Sequence, residues 1–378
     1  MTEEKAIERP RISVIVPSRP DEDVSACLAA LARTEYPADR IEVFHVTGDH
    51  PSVQRNRCAE QARGEVLYFL DSDSRIHPPS GPGARDDTLS RLADALAGAR
   101  GTAPHDERGA DLSNHLSGHR IAGGPSLTPP DDSPLQQAIG LVFGSAFGTG
   151  AIRARYRPLG AMRESNQLEI ILCNLMMDRE AFLALGGFNE RLYPNEENEL
   201  MDRFQRGGGR ILYVPEAGVW RSQRRTWRAF VRQVFTYGRG RADQTRVNPK
   251  SLSPVLLIAA AFAVYVALLL PLSALLAAWG PWLPAGARAI AAIALWGPLA
   301  LHGAAVVAAS VAACAASGRW SALARLPALF VVNHLGYGIG FIAGMLRRAP
   351  PPHPDADLVS WNVERLKPFG VGFAGRAG

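Results

Sequence analysis

Two carboxylate pairs in this chain have the type and spacing to do chemistry. Asp71-Ser72-Asp73 closes a hydrophobic run over residues 65–70. Two carboxylates at the end of a buried strand offer hard oxygen ligands to a divalent cation. Such a cation neutralises a diphosphate as it leaves. An Asp-x-Asp triplet alone is common in loops, so its weight comes from the strand that carries it. Glu196-Glu197 opens a second segment, residues 196–206. A carboxylate there can accept a proton as a general base. The pair can equally be the N-terminal charges that a helix dipole favours. The four cysteines, Cys27, Cys58, Cys173 and Cys314, form no Cys-x-x-Cys pair. Their spacing suggests neither a zinc site nor a disulfide framework, and buried reduced thiols are expected.

The surrounding elements must position those carboxylates. Residues 12–16, Ile-Ser-Val-Ile-Val, form a β-branched run ending at Pro17 and read as a buried strand. Apolar positions at helical spacing follow over 24–33, then a second strand over 41–46. A helix over 51–62 starts near Pro51, and a third strand covers 65–70. The order β-α-β-α-β predicts a parallel sheet with helices on its faces. Ligands bind at the carboxyl ends of such strands, where Pro17-Ser18-Arg19, Gly48-Asp49 and Asp71-Ser72-Asp73 all fall. Residues 78–88 and 100–134 are rich in Gly, Pro, Ser and Asp and read as loops around a helix over 89–99. Residues 134–150 read as a helix or a loop over the site, and 170–177 as a strand. Gly186-Gly187 marks a turn. Residues 196–206 read as a helix with Asn195 as N-cap, and 211–214 as a strand.

Charge divides the chain near residue 250. The net charge is +5 over 378 residues, and from Arg203 to Lys250 twelve Lys/Arg stand against Glu216 and Asp243. No nucleic-acid recognition motif accompanies that block, so anionic lipid headgroups are the expected partner and nucleic acid is not. Trp227, Phe230, Val231, Val234 and Phe235 recur at helical spacing beside Arg228, Arg232 and Arg239, as in a basic amphipathic helix lying in a membrane interface. Beyond it, residues 251–346 carry only Arg288, Arg319 and Arg325 as charges. The uncharged stretches 251–287, 289–318 and 326–346 are each long enough for a span, which takes ~20 residues. The middle one reads as one long span or a pair broken near Gly297-Pro298. The third holds Asn333, His334 and Tyr337 and has a re-entrant or interfacial rival reading. Three spans would also put Arg347 and Arg348 outside, against the positive-inside bias. The polar start, MTEEKAIERP, is no signal peptide, so the first domain is expected in the cytosol.

The ordered motifs carry a resemblance. Ser-Val-Ile-Val-Pro-Ser (13–18), Gln-Arg-Asn (54–56), Gly-Glu-Val-Leu-Tyr-Phe-Leu-Asp-Ser-Asp (64–73) and Gly-Gly-Phe-Asn-Glu (186–190) look like family 2 glycosyltransferases. Asn-Glu-Glu-Asn-Glu-Leu (195–200) and Gly-Gly-Arg-Ile (208–211) fit the same pattern. With the hydrophobic tail and His-Leu-Gly-Tyr-Gly-Ile-Gly (334–340), the chain is similar to succinoglycan-type bacterial exopolysaccharide transferases. The resemblance implies an α/β GT-A domain, Rossmann-like and built for a nucleotide-diphospho-sugar, over 10–225. It implies a basic interfacial helix and linker over 226–250, an all-α transmembrane region over 251–348 and a polar tail over 349–378. Pro17, Ser18 and Asp49 match the nucleoside-binding edge, and Arg55 a residue near the nucleotide. Asp71 matches the sugar-nucleotide side of the Asp-x-Asp motif and Asp73 its metal ligand, for Mg²⁺ or Mn²⁺. Glu197 stands where the family has its catalytic Asp. Arg221 stands near a position where a metal-binding His is common, and is expected to contact the diphosphate. The Gln-x-x-Arg-Trp motif of processive synthases is missing after Gln233, which favours transfer of one sugar.

The expected function is metal-dependent, inverting transfer of one sugar from a nucleotide-sugar to a polyprenyl-linked saccharide acceptor at the inner membrane. Glu197 is expected on the inward side of its helix with Leu200 and Met201, and Glu196 nearer the rim. Rival readings are a polyprenyl-phosphate glycosyltransferase, whose acceptor phosphate needs no strong base, and a non-catalytic membrane protein on the same fold. A transporter would need intramembrane charges, and the apolar stretches offer only His302 and His334.

Overall fold

The computed structural model describes residues 9–100, 116–192, 194–249, 252, 254–347 and 361–371. In chain order the elements are β1 (Ile12–Ser18), α1 (Ser25–Leu31), β2 (Ile41–Gly48), α2 (Pro51–Gln61), β3 (Val66–Phe69), β4 (Ser74–Ile76) and α3 (Thr88–Arg100). Then come β5 (Arg120–Gly123), β6 (Ser126–Leu127), α4 (Pro134–Phe143), α5 (Ala146–Thr149), β7 (Arg163–Ser165), β8 (Leu175–Asp178) and α6 (Arg179–Ala184). They continue with α7 (Glu196–Arg206), β9 (Arg210–Tyr213), β10 (Val219–Arg221), α8 (Trp227–Val247), α9 (Pro254–Trp279), α10 (Ala285–Ser317), α11 (Leu326–Leu346) and β11 (Trp361–Lys367). Two compact units result. The first takes Met1–Pro130, Ala151–Ser222 and Pro351–Gly378, and the second takes Asp131–Gly150 and Gln223–Pro350.

The first unit is built on an eight-stranded sheet in the order β11-β2-β1-β3-β8-β5-β9-β7. β1 pairs parallel with β2 and β3, as the β-α-β-α-β order requires. These strands are mostly apolar because both faces are covered, and the buried Ser13 hydroxyl donates to Glu42 Oε1 at 2.6 Å. Val14 and Val16 pack with Leu31, Leu89 and Leu92 on one side. Ile15, Phe44 and Phe69 pack with Cys58, Phe182, Leu200 and Phe204 on the other. The second sheet has the order β4-β10-β6. All four cysteines are free and buried.

Four stretches depart from the sequence reading. Residues 116–134, read as loop, contain β5 and β6, and β5 lies inside the large sheet between β8 and β9. The pattern hid it because its residues are Arg-Ile-Ala-Gly. Arg120 is nonetheless 2% exposed, its amide donating to Asp178 Oδ2 at 2.8 Å. The glycines are there for contact: a Cβ on Gly123 would lie 2.6 Å from Ile170 Cγ2, and one on Gly124 2.0 Å from the Ala217 carbonyl. The remainder of that loop reading, residues 101–115, lies outside the described residues. The strand expected over 170–177 is shorter, because Leu172–Asn174 makes a 3-10 turn before β8. Residues 361–367, read within a polar tail, form β11, antiparallel to β2 with Val363 opposite Val46. Lys367 pins it, donating to the Ala38 and Ile41 carbonyls at 2.8 and 2.6 Å. The rest of that tail, 349–360 and 372–378, lies outside the described residues. Asn195 does precede α7, but with φ 93° and no side-chain capping bond. Its Oδ1 accepts from Asn198 Nδ2 instead.

The second unit is helical. Among the described residues three of its helices are long and apolar enough to cross a membrane, and the chain has up to four such candidates if the bent pair Pro134–Phe143 and Ala146–Arg155 counts as one. α10 runs unbroken through Pro298, so the middle stretch is one helix. The third stretch is also one continuous helix, α11. Thr226 caps α8, its hydroxyl accepting from the Ala229 amide. The expected apolar stripe of α8 divides: Phe230 and Val234 are buried, while Trp227 and Val231 are exposed. α8 and α11 meet through glycines. A Cβ on Gly238 would lie 2.1 Å from the Tyr337 carbonyl, and one on Gly340 2.1 Å from the Phe235 carbonyl. Gly340→Ala should therefore lower the unfolding midpoint of the detergent-solubilised chain, by an overpacking cost of about 1–3 kcal/mol. Gly303→Ala meets nothing within 4 Å and serves as control. Equal midpoints for the two variants would refute the close approach.

Candidate active site

β3 delivers Leu70 to the end of the sheet, and the chain turns there through Asp71, Ser72 and Asp73 into β4. Ser72 is held by Glu22, whose Oε1 accepts from the serine hydroxyl at 2.8 Å. β4 pairs antiparallel with β10 in a register that sets Ser74 opposite Arg221. That register carries Arg221 to both aspartates: its Nη2 is 3.2 Å from Asp71 Oδ2 and its Nε 2.8 Å from Asp73 Oδ1. From the other side comes Arg55 on α2. Its Nη2 lies 2.7 Å from Asp71 Oδ1, and its Nη1 3.2 Å from Glu196 Oε1. Glu196, Arg55, Asp71, Arg221 and Asp73 thus form one chain of alternating charge.

Glu197 stands beside this chain with its own cation. Arg155, at the end of the 3-10 turn Gly150–Arg155, places Nη1 3.3 Å from Glu197 Oε1. Arg155 is fixed by the Leu168 and Gln167 carbonyls and by Asn198 Oδ1. Asn198 also donates to Glu197 Oε1 at 3.0 Å. The expectation that Glu196 lies nearer the rim is wrong. Glu196 is 2% exposed and Glu197 8%. Arg55 draws Glu196 inward, towards Asp71, which helix-face geometry alone does not anticipate.

Burial dominates the electrostatics. The Glu196 carboxyl is pushed up to about 8, first by desolvation and then by the Glu197 charge, against the pull of Arg55. Arg55 pulls it down by less than burial and the Glu197 charge push it up, and Asp71 adds a small further rise. Three carboxylates, Glu196, Asp71 and Asp73, have two guanidinium groups between them, and a proton on Glu196 removes the surplus negative charge.

The remaining sequence candidates sit at neighbouring strand ends. Pro17 and Ser18 close β1, where Ser18 Oγ is 2.8 Å from His45 Nε2. Gln54 Nε2 donates to the Ser18 and Val46 carbonyls at 2.9 and 2.8 Å, tying β1 to β2. Asp49 follows β2 and is exposed. None of these three belongs to the ion chain, whereas Arg55, Asp71, Asp73 and Arg221 all do. Sequence reasoning passed over Arg155, Gln54 and Glu22. Gln54 lay inside the quoted Gln-Arg-Asn motif; Arg155 and Glu22 carried no local signal.

Asp71 and Asp73 offer the carboxylate oxygens that a hard cation takes. Among the described residues no group of three His, Cys, Asp or Glu gathers to hold a metal. Two carboxylates suit Mg²⁺ or Mn²⁺ where substrate phosphates complete the shell, so the residues fit a cation that arrives with a diphosphate.

Comparison with known proteins follows the same lines. The model of the family described as glycosyl transferase family group 2 matches residues 152–331. The succinoglycan biosynthesis protein ExoA of Rhizobium meliloti (strain 1021) is 28% identical over 241 residues, covering 59% of this chain and 70% of that protein. Among solved structures, the mannosyltransferase PcManGT from Pyrobaculum calidifontis, in complex with GDP-Man and Mn²⁺, aligns with a TM-score of 0.45 and 17% identity over 89% of this chain and 87% of its own. TarS 1-349 of S. aureus, in complex with UDP, aligns with a TM-score of 0.36 and 15% identity over 60% of this chain and 63% of its own. The matched family model and the curated relative, together with the ordered motifs now set on one sheet edge, make the chain similar to family 2 glycosyltransferases.

Proposed function

We propose that the chain moves a single sugar from a nucleotide-sugar to a hydroxyl of a lipid-linked saccharide, with inversion, during synthesis of a surface polysaccharide. The observation that carries this reading is the Arg55 bridge, which joins the start of α7 to the Asp-x-Asp turn. It brings the start of α7, with Glu197 beside Glu196, close to the Asp-x-Asp turn, which supports reading the one as proton acceptor and the other as diphosphate-binding edge. The name of the R. meliloti relative supports a polysaccharide product. Helices long and apolar enough to cross a membrane support a lipid-borne acceptor and a multi-pass protein of the inner membrane, with its sheet unit in the cytosol.

Glu197 is the base in this mechanism. A protonated Glu196 has no free charge with which to take a proton, and Glu197 has Arg155 to itself. Glu197 accepts the proton of the acceptor hydroxyl. The hydroxyl oxygen bonds to the anomeric carbon as the bond from that carbon to the diphosphate breaks, and its electron pair leaves with the diphosphate. Pro17, Ser18 and Asp49 hold the nucleoside at the ends of β1 and β2. Arg55 and Arg221 face the diphosphate. Mg²⁺ or Mn²⁺ held by Asp71 and Asp73 would add positive charge against the leaving group.

Glu197→Gln should lower turnover by ~10²–10⁴-fold while nucleotide-sugar binding survives. Release of nucleoside diphosphate by the full-length chain, with membrane extract as acceptor source, measures it. Undiminished turnover would point to a phosphate acceptor and reject the base. Glu196→Gln should cost less turnover, and its signature is in stability. Glu196 is raised from 4.5 to about 8. Between those values the folded chain holds a proton that the unfolded chain releases, so stability falls as pH rises through that window. The wild-type melting midpoint should fall from pH 4.5 to about 8, and that of Glu196→Gln should fall less. Parallel curves would show that Glu196 holds no such proton.

A further inference from the structure

The Asp-x-Asp carboxylates already have a cation. Arg221 spans them, Nε to Asp73 at 2.8 Å and Nη2 to Asp71 at 3.2 Å. The register of β10 on β4 places it there, opposite Ser74 and hence next to Asp73. A guanidinium fork suits two carboxylates in a way that a point charge does not. A divalent ion arriving alone must displace Arg221 from both carboxylates, with Arg55 also paired to Asp71, and would find no third His, Cys, Asp or Glu among the described residues. A nucleoside diphosphate changes both sides of that exchange. Its oxygens complete the metal's shell, and they offer the displaced guanidinium a bidentate anion in return.

We propose that Arg221 is a placeholder cation that makes capture of Mg²⁺ or Mn²⁺ by Asp71 and Asp73 conditional on the nucleoside diphosphate. The inference rests on the donor-site reading given above. Metal and diphosphate then bind with positive coupling, and linkage makes each raise the affinity for the other by the same factor. Arg221 acts on the metal through the carboxylates, so it is a positioning residue. Removing its guanidinium takes the bridging cation off Asp73 and leaves Asp71 with Arg55, so the metal has less to displace. A merely structural Arg221 would have the opposite effect, because a loosened turn captures metal less well.

The test uses the full-length chain in detergent micelles and Mn²⁺ alone, with no nucleotide, free Mn²⁺ being read by electron paramagnetic resonance. The wild type should bind weakly. Arg221→Gln and Arg221→Met, which remove the charge with different shapes, should each bind about tenfold more tightly, within the usual range of such coupling. Arg221→Lys keeps a cation in place and should stay near the wild type. Asp73→Asn should abolish the gain in the Arg221→Gln background. Unchanged or weaker Mn²⁺ binding in both charge-removing variants would overturn the proposal. So would a wild-type chain that takes Mn²⁺ as tightly as those variants, which needs no variant to fold well. If Asp73→Asn leaves the tightened binding intact, the metal lies elsewhere, and it is the donor-site reading that fails.

Discussion

One buried guanidinium organises this site. Arg55 is 4% exposed and holds a carboxylate on each side, Asp71 from the strand-end turn and Glu196 from the start of α7. Screening by solvent is weak at such depth, so each partner is costly to remove: a buried charge left alone is far less stable than the pair. The positions of α2, the β3–β4 turn and α7 are therefore set against one another by charge as well as by packing. Arg221 extends the same chain to Asp73, and burial, with the Glu197 charge beside it, raises Glu196 against the pull of Arg55. Glu197 keeps a separate arginine. Two adjacent glutamates thereby acquire different chemistry from their neighbours and not from their type.

Much of this was legible in the sequence because apolar runs announce buried strands. β1, β2 and β3 stood out, and the candidate residues at their ends could be placed from the order alone. β5 was not legible, although it lies inside the same sheet, because its Arg-Ile-Ala-Gly residues serve an amide bond to Asp178 and close backbone approach. β11 carries alternating polar residues and follows a long apolar region, so nothing local tied it to β2. Arg155 lies 42 residues before Glu197 in sequence, and only the fold brings them together. Arg221 showed up as a departure from a family pattern, but its two ion pairs depend on the β4–β10 register, which no spacing encodes.

The helical unit handles its few polar groups by pairing them. His302 Nε2 and His334 Nδ1 are 3.0 Å apart, and His334 Nε2 lies 2.9 Å from the Phe147 carbonyl. Asn333 donates to the Gly148 carbonyl at 2.7 Å. Polar groups inside an apolar helix pack stably only when hydrogen-bonded, and here the partners are carbonyls of α5. Asn333 and His334, two of the residues that broke the apolar pattern of the third stretch, thus hold the short helix. They need no transport role to explain them.

Strand β11 lies beside β2 in the sheet that also holds β1 and β3. Neighbouring strands are ~4.8 Å apart, whereas the hydrocarbon core of a bilayer is ~30 Å thick, so the two strands share one side of any membrane. The polypeptide leaves this unit after Ser222 and is back in it by Trp361. Between those points its crossings must sum to an even number. The bent pair in 134–155 cannot alter the parity, since the unit holds the chain both before Asp131 and after Gly150. Were all three candidate helices among the described residues to cross, the count would be odd and β11 could not pair with β2. α11 differs from the others in the relevant way: 39% of its apolar window is buried in protein, against 17% for each of the other two. Within the helical unit α9 packs against α10, and α11 lies alongside α8.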